Sequence, residues 1–282
     1  MVRSSLAALL LAGVSATAHA ATPAAGAVMA TGLIAHRAIY DLELKDASER
    51  SGISGMSGRM VYEFDGDYCT GYTTKFRFVT QIDTGDAVRV SDQQTNTFEN
   101  LKDRKFTFDT KSFTDDQLDK EVNGAAQDQA DGTKVDLKQP SSKELQLAAS
   151  RFPTEHMMDV IKNAKAGTRL FEARVFDGSD DGDKALATTT VVGKAVTPVS
   201  DEADAGNAGA FSKTSFWPVT ISYFNENTKT DALPVYRMSF KLYENGITRD
   251  LTMDYGDFVL TGKLSKLELL DAKTSPVSNC TR

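Results

Sequence analysis

Short runs of alternating apolar and polar residues are the feature of this 282-residue chain that most constrains its fold. In TKFRFVTQID at 74–83, Phe76 and Phe78 fall on one face of an extended segment, and Lys75 and Arg77 fall on the other. A period of two is typical of a half-buried β-strand, because successive side chains point to opposite sides. Runs of this kind lie at 36–45, 57–66, 74–83, 104–110, 169–178, 187–196, 214–224, 236–246 and 248–271. They predict an all-β fold.

Gly, Asp, Asn and Ser separate these runs at distances typical of hairpins, so we expect neighbouring strands to pair antiparallel. Such a sheet has one apolar face and one wet face. We predict a single long, strongly curved antiparallel sheet, as a half-barrel or a closed barrel, that occupies residues 21–282 as one domain.

One segment, 152–166, interrupts the alternation and predicts an α-helix. Pro153 suits the first helical turn, and Gly167 suits the position just after the last one. Val160 and Ile161 belong to one apolar helical face, which we expect to pack on the concave face of the sheet.

Three other segments have weaker patterns. Residues 115–122 favour a second short helix, whereas 123–134 and 200–211 are polar and predict exposed loops.

Residues 1–20 have the layout of a signal peptide. Arg3 precedes an apolar run at 6–14, and Ala18 and Ala20 form an A-x-A cleavage site. The run is too short to cross a hydrocarbon core of roughly 30 Å. We therefore expect cleavage near Ala20 and export to an oxidising compartment of a chain that does not span the membrane.

Cys69 and Cys280 are the two cysteines of the chain. Cys69 alone could be a nucleophile, a metal ligand, a redox sensor or half of a bridge. Export favours the bridge, because disulfides persist in oxidising compartments and an isolated thiol is a liability there. A Cys69–Cys280 bridge would span about 210 residues and contribute on the order of 5 kcal/mol in the chain-entropy model.

The composition argues against several classes of function. The formal net charge is −7, and no basic stripe is present, so we expect no nucleic-acid partner. No P-loop, dinucleotide fingerprint or CxxC motif occurs. After signal cleavage His36 and His156 remain, and a hydrolase would need one of them in a cleft beside a serine and a carboxylate. We expect a neutral His156, no metal ion, no cofactor and no enzymatic activity.

The acidic loop at 177–182 resembles the start of a calcium-binding loop. Asp177, Ser179, Asp181 and Gly182 match the first, third, fifth and sixth positions of an EF-hand, but Thr188 stands where a bidentate Glu is needed. We expect a solvated hairpin tip and leave calcium binding open.

Aromatic residues concentrate at 211–224, and methionines occur in the predicted helix. Core packing is one interpretation of both. The other is an apolar groove, since a curved sheet of this size encloses space that its own side chains do not fill. The candidate lining residues are Phe211, Phe216, Trp217, Met157 and Met158.

The motifs HRAIYDLEL, GRMVYEF, CTGYTTKFRF, FPTEHMMDVIKNAKAG and FDGSDDG together resemble the alphaproteobacterial EipB-like family of cell envelope integrity proteins. The resemblance covers nearly the whole chain after the signal peptide. It implies a periplasmic β-spiral similar to lipoprotein carriers, with a disulfide bond at Cys69 and Cys280. It also implies roles in cell envelope integrity, stress resistance and virulence, and a periplasmic partner with TPR repeats. The family has no catalytic residues to carry over.

Two hypotheses follow. The first is a non-enzymatic periplasmic protein that maintains the envelope through protein–protein interaction. The second is a periplasmic carrier that binds a lipid or a lipoprotein acyl chain in the concave face of the sheet.

Overall fold

The computed structural model describes residues 32–199, 202, 204–225 and 232–270, so the predicted signal peptide lies outside the described part. The described residues form one α-helix, α1 (Pro153–Ala166), and fourteen β-strands. The strands are β1 (His36–Ala47), β2 (Gly55–Asp67), β3 (Gly71–Asp83), β4 (Val88–Asn100), β5 (Lys105–Thr114), β6 (Gln117–Gln129), β7 (Gly132–Gln139), β8 (Lys143–Leu147), β9 (Leu170–Val175), β10 (Leu186–Val192), β11 (Trp217–Asn225), β12 (Tyr236–Leu242), β13 (Thr248–Asp254) and β14 (Phe258–Leu269).

All fourteen strands belong to one curved sheet in the order β8-β7-β6-β5-β4-β3-β2-β1-β14-β13-β12-β11-β10-β9. The first eight strands form one meander and the last six form another. Strand β1 pairs antiparallel with β14, from His36 opposite Leu269 to Ala47 opposite Phe258, and this pairing joins the two meanders. The predicted single long antiparallel sheet is confirmed.

The sheet is open between its edge strands, β8 and β9. Just beyond β8, Arg151 makes one parallel bridge to Val175 at the end of β9. The Arg151 N–H donates to the Arg174 carbonyl (2.8 Å), and the Phe176 N–H donates to the Arg151 carbonyl (2.9 Å). A closed barrel would need a series of hydrogen-bonded pairs between β8 and β9. Because there is a single bridge, the sheet is better described as a half-barrel.

Helix α1 connects the two edge strands and agrees with the predicted 152–166 helix. It ends at Gly167, whose φ of 78° is readily reached only by a residue without a Cβ. Its buried face includes Val160, Ile161 and Ala164, which pack into the concave side of the sheet.

Two separate apolar clusters fill the concave side. The larger core draws on β1, β2, β10–β14 and α1, and it comprises Ala38, Tyr40, Leu42, Met60, Val160, Ile161, Ala164, Val192, Ala208, Phe216, Val219, Ile221, Phe240, Leu242, Tyr243, Ile247, Leu251, Met253, Leu260 and Leu264. The smaller core draws on β5–β7 and on the segments that flank α1 and β9, and it comprises Phe106, Phe108, Val122, Ala126, Val135, Leu137, Phe152, Phe176 and Ala185.

The larger core contains a buried ionic network around Arg249, whose side chain is fully buried. The guanidinium pairs with Glu202 and with Asp204 (2.7 Å), and its Nε donates to the Tyr243 hydroxyl (2.8 Å). It also lies 4.9 Å from the centre of the Phe216 ring. These contacts hold the segment that precedes β11, with Glu202 and Asp204, against β13 and the end of β12.

The short helix predicted at 115–122 is wrong. Asp115 and Asp116 have positive φ angles of 49° and 65°, and they form the two-residue turn between β5 and β6. Two consecutive positive φ values are typical of the tight turns that match the twist of a hairpin. The residues from Gln117 onward belong to β6.

The exposed loop predicted at 123–134 is also wrong, because β6 continues to Gln129 and β7 begins at Gly132. The inner face of β6 is crowded and requires small residues. A Cβ on Gly124 would lie 2.6 Å from the backbone oxygen of Asp136. Small residues inside and polar residues outside make this strand resemble a loop in sequence.

The segment 200–211 was predicted to be an exposed loop, but several of its described residues form regular structure or are buried. Gly206–Phe211 forms a short 3-10 segment, and Asp204, Ala205 and Ala208 are buried. The larger core thus covers part of a segment whose polar composition predicts exposure.

Candidate functional site

A cavity of about 360 Å³ lies between the two cores, with α1 on one side. Its volume falls in the range of small-molecule pockets, roughly 300–1,000 Å³. The lining residues are Leu33, His36, Tyr62, Phe64, Thr74, Phe76, Gln93, Thr95, Thr97, Thr110, Pro153, Thr154, His156, Met157, Val160, Val175, Asp177, Ser179, Ile221, Tyr223, Met238, Phe240, Asn245 and Gly246.

One wall of the cavity is apolar. Strands β2 and β3 contribute Tyr62, Phe64 and Phe76, while β11 and β12 contribute aliphatic and aromatic residues such as Ile221 and Phe240. The rings of Tyr62 and Phe64 stack with centroids 6.4 Å apart. Burial raises the pKa of Tyr62 to about 12, so its hydroxyl is neutral at physiological pH. This wall offers an apolar ligand a dry contact surface.

The adjoining part of the wall, on β4 and β5, is polar and uncharged, and Thr95 of β4 lies directly beside Phe76 of β3. Gln93, Thr95 and Thr97 occupy alternate positions of β4, so all three point to the same face of the strand. Thr110 of β5 lies beside them, and its Oγ1 is 3.0 Å from Oγ1 of Thr95. Because these inner positions are polar, neither apolar core extends across β4, and the cavity forms there.

His156 stands at the helical side of the cavity. Its side chain is almost fully buried, with 4% of the residue exposed, and its Nε2 makes no hydrogen bond in the described structure. Desolvation lowers the pKa of His156 to about 4; the carboxylate of Asp159 opposes this shift and the guanidinium of Arg151 adds to it. His156 is therefore neutral near pH 7, and the cause is its burial.

Glu99, at the end of β4, caps helix α1 from the sheet. Phe152 at the N-cap provides no side-chain cap. Instead, the buried Glu99 carboxylate accepts hydrogen bonds from the backbone N–H groups of Thr154 (2.7 Å) and Glu155 (2.9 Å). Desolvation raises the pKa of Glu99 to about 7, although these hydrogen bonds oppose the rise. The helix N-terminus beside the cavity therefore already has an acidic partner.

His36 and His156 both line this cavity, together with Ser179 and Asp177. The His36 Nδ1–H donates to the Ile34 carbonyl (2.7 Å), and Asp177 accepts the Ser179 backbone N–H (2.9 Å). Among the described residues, no hydrogen bond joins either imidazole to the Ser179 hydroxyl or to the Asp177 carboxylate. The base–nucleophile contact of a hydrolase is not assembled in this arrangement.

The structure does not bring the five candidate groove residues together. Met157 lines the cavity, whereas Met158 lines a different pocket beside α1. Phe211, Phe216 and Trp217 pack in or against the larger core. These three aromatic residues therefore belong to core packing and not to the cavity.

The acidic loop is held by lysines. Lys120 pairs with Asp181 (2.7 Å), Lys143 pairs with Asp183 (3.0 Å), and Lys184 pairs with another loop carboxylate. Within the described ranges, no group of three or more His, Cys, Asp or Glu side chains is placed to hold a metal ion.

The loop is also more deeply anchored than a solvated hairpin tip. Phe176 and Ala185, at its two ends, are buried in the smaller core, while the tip at 179–181 and Lys184 are exposed. The tip is exposed, as expected, while the ends of this connection close one end of the smaller core.

Cys69 lies half-buried in the turn between β2 and β3, where its backbone N–H donates to the Asp67 carboxylate (2.7 Å). Cys280 lies outside the described residues, so the pairing of the two cysteines stays a prediction. In the part of the chain that the structure describes, no helix is both long and apolar enough to cross a membrane.

An open antiparallel β-sheet that curves around one helix and a ligand-sized cavity defines the structural class of this protein. The sequence model of the family described as EipB-like matches residues 27–271, and the chain belongs to that family.

Two relatives support this assignment. The chain is 51% identical over 249 residues to the cell envelope integrity protein EipB of Brucella abortus (strain 2308), and the match covers 88% of each chain. Its fold is similar to a crystal structure of a beta-barrel-like protein of a domain of unknown function from Brucella abortus. That comparison has a TM-score of 0.83 and 50% identity, and it covers 86% of this chain and 100% of the other.

Proposed function

We propose that this protein is a non-enzymatic periplasmic protein that supports the integrity of the cell envelope by binding the apolar chain of an envelope amphiphile. The envelope role rests on the family and on the name of the 51%-identical relative. The binding role rests on a single observation, the cavity between the two cores.

The cavity favours ligand binding over a purely structural concave face. Helix α1 lines the cavity through Pro153, His156, Met157 and Val160 but leaves about 360 Å³ unfilled. Protein interiors are normally close-packed, with few voids larger than a water molecule. A space of this size with a continuous aromatic and aliphatic wall is suited to a hydrocarbon chain.

Two neighbouring methionines provide a matched test. Met157→Trp puts a larger side chain on the cavity wall, whereas Met158→Trp makes the same change at the other pocket beside α1. We expect native mass spectrometry of protein from a lipid-containing host to show bound amphiphile in the wild type and in Met158→Trp. Met157→Trp should lose most of it. Equal loading of all three proteins, or no bound lipid in any of them, would contradict ligand binding in this cavity.

The envelope role needs a test of its own. We expect a strain that lacks this protein to be more sensitive to detergent than its parent, and the wild-type protein to restore resistance. If Met158→Trp also restores resistance and Met157→Trp does not, the cavity and the envelope role are linked. Full restoration by a Met157→Trp protein that is folded and lipid-free would separate them.

A protein partner in the periplasm, including one with TPR repeats, remains a prediction from the family resemblance. A pull-down from periplasmic extract with the tagged protein tests it, with the heat-denatured protein as a control. Recovery of no specific partner would count against the interaction hypothesis and leave the ligand hypothesis unaffected.

We also propose that Cys69 pairs with Cys280. In support, Cys69 is not a free cysteine, and a bridge to the C-terminal segment would close most of the chain into one loop. Cys69→Ser should lower the free energy of unfolding by about 2–5 kcal/mol without abolishing the fold. Cys280→Ser and the double variant should lose the same amount. Two titratable thiols in the native, unreduced wild type would disprove the pairing.

A further inference from the structure

We propose that the cavity selects an uncharged amphiphile, in which an apolar chain carries a neutral hydrogen-bonding group such as a hydroxyl or an amide, and that it excludes fatty acid anions and other anionic amphiphiles. This inference rests on the proposed function, since it names the chemical class of the bound ligand. It follows from the charge, the helix terminus and the polar groups at the cavity wall.

No cation is available to an anionic ligand. In the described part of the chain, no lysine or arginine lines the cavity, and Asp177 is the one carboxylate on its wall. The two histidines do not supply a positive charge, because burial lowers the pKa of both His36 and His156. A carboxylate or a phosphate placed inside would be desolvated without a counter-ion, which is strongly unfavourable.

The helix N-terminus is not available either. Backbone N–H groups and the macrodipole make the start of a helix a favourable place for an anion. Pro153 and Thr154, at the start of α1, line the cavity. The Glu99 carboxylate already accepts the N–H groups of Thr154 (2.7 Å) and Glu155 (2.9 Å). An anionic ligand there would find these N–H donors already occupied.

Neutral polar groups are abundant by contrast. The hydroxyls of Thr95, Thr97 and Thr110 and the amide of Gln93 can each donate and accept a hydrogen bond. His156 adds a buried Nε2 without a partner, and an unpaired buried polar atom is unfavourable. A hydroxyl or amide placed against these groups would supply such partners, while the apolar chain contacts the adjoining aromatic residues of β2 and β3.

The test compares amphiphiles with the same twelve-carbon chain and different head groups. Calorimetric titrations at pH 7.5, below micellar concentrations, would use monolauroylglycerol, laurate, dodecyl phosphate and dodecyltrimethylammonium. We expect monolauroylglycerol to bind at least about tenfold more tightly than each charged compound.

Equal or tighter binding of laurate or dodecyl phosphate would overturn the inference and leave the proposed function intact. Preference for the ammonium compound would also overturn it and assign recognition to Asp177. Binding of none of the four would contradict the proposed function itself.

A charge introduced on the polar wall provides a gain-of-function test. Gln93 is exposed at the cavity margin, so Gln93→Lys adds a cation without disturbing a core. We expect the affinity for laurate, relative to that for monolauroylglycerol, to rise about tenfold. If the folded variant binds laurate no better than the wild type, the absence of a cation is not what excludes anions.

Removing a neutral polar group should weaken the neutral ligand. We expect His156→Leu and Thr95→Val each to lower the affinity for monolauroylglycerol about threefold to tenfold. Thr107→Val is the matched control, because Thr107 is exposed on β5 and does not line the cavity. Thr95→Val retains the shape of the side chain and keeps the test valid if His156→Leu does not fold. Unchanged affinity in Thr95→Val would contradict a role for the hydroxyl wall.

Discussion

The two cores of this protein are built differently although they lie on one sheet. The larger core packs aliphatic side chains of β1, β2 and β10–β14 against α1 and includes the Arg249 network. The smaller core is a cluster of four phenylalanines, and the connection between β9 and β10 packs directly against it. Helix α1 packs over the larger core, and the loop between β9 and β10 packs over the smaller core.

The difference shows how the cavity arises. Each core ends where the apolar inner face of the sheet ends, and β4 lies between them with Gln93, Thr95 and Thr97 pointing inward. Polar side chains on an inner face cannot join an apolar cluster at low free-energy cost. The two cores therefore stay apart, and the space between them remains unfilled.

The largest effect that we expect is in the larger core. Arg249→Met leaves Glu202 and Asp204 without their buried partner, and breaking a buried ion pair in this way costs about 3–5 kcal/mol. Urea denaturation would measure the loss. Arg237→Met, on the neighbouring strand, breaks a more exposed pair with Asp254 and should cost at most about 1 kcal/mol. Similar losses in both variants would show that the larger core does not depend on the buried network.

The smaller core should be sensitive to the loop that covers it. Gly178→Ala would place a Cβ 2.5 Å from the Phe108 ring at a φ of 72°. We expect a loss of about 3 kcal/mol, from left-handed backbone strain together with overpacking. Gly85→Ala is the control, because its φ is 82° and no atom lies within 4 Å of the added Cβ. It should lose only about 1 kcal/mol. If thermal unfolding showed equal losses, the loop would not be in close contact with the Phe108 ring.

A smaller, pH-dependent effect should appear at the boundary between the cores. The pKa of Glu99 is raised to about 7, so its contribution to stability is present below pH 4.5 and is lost as the pH rises through 7. The pKa of His156 is lowered to about 4, so its contribution is present above pH 6.5 and is lost as the pH falls through 4. The two trends oppose each other and flatten the stability profile of the wild type.

Two variants separate these trends. Glu99→Gln removes the acid, and its stability should rise relative to the wild type by about 2 kcal/mol between pH 4.5 and 7. His156→Gln removes the base, and its relative stability should fall by a similar amount between pH 4 and 6.5. Chemical denaturation at several pH values measures both. Parallel profiles for the wild type and the two variants would mean that neither group titrates as its burial indicates.

Sequence patterns predicted those elements whose two faces differ in polarity. The run at 74–83 corresponds to β3, and 152–166 corresponds to α1. They did not identify β4, because the centre of VRVSDQQTNTFEN, residues 91–97, is polar on both faces and lacks the alternation that marks a half-buried strand. The same lack of contrast caused the wrong prediction at 123–134, where the inner residues of β6 are small. Strands of this kind are held by their neighbours in the sheet.

The candidate site was predicted only in part for the same reason. Met157 and His156 could be singled out from the helix, but the polar wall of Gln93, Thr95 and Thr97 carries no motif. Phe211, Phe216 and Trp217 have the composition of a groove, yet they pack against β12, β13 and the Arg249 network.

The sequence by itself determined the strand-rich class, the helix and its ends, and the family, because these depend on local periodicity, on capping residues and on motifs that can be read within one segment. Only the tertiary structure decided that the sheet stays open, that two cores form and that a cavity with one apolar and one neutral polar wall lies between them. Those features depend on β4 lining the same cavity as β11 and β12. That arrangement brings together residues more than a hundred positions apart in the chain, and no local pattern encodes it.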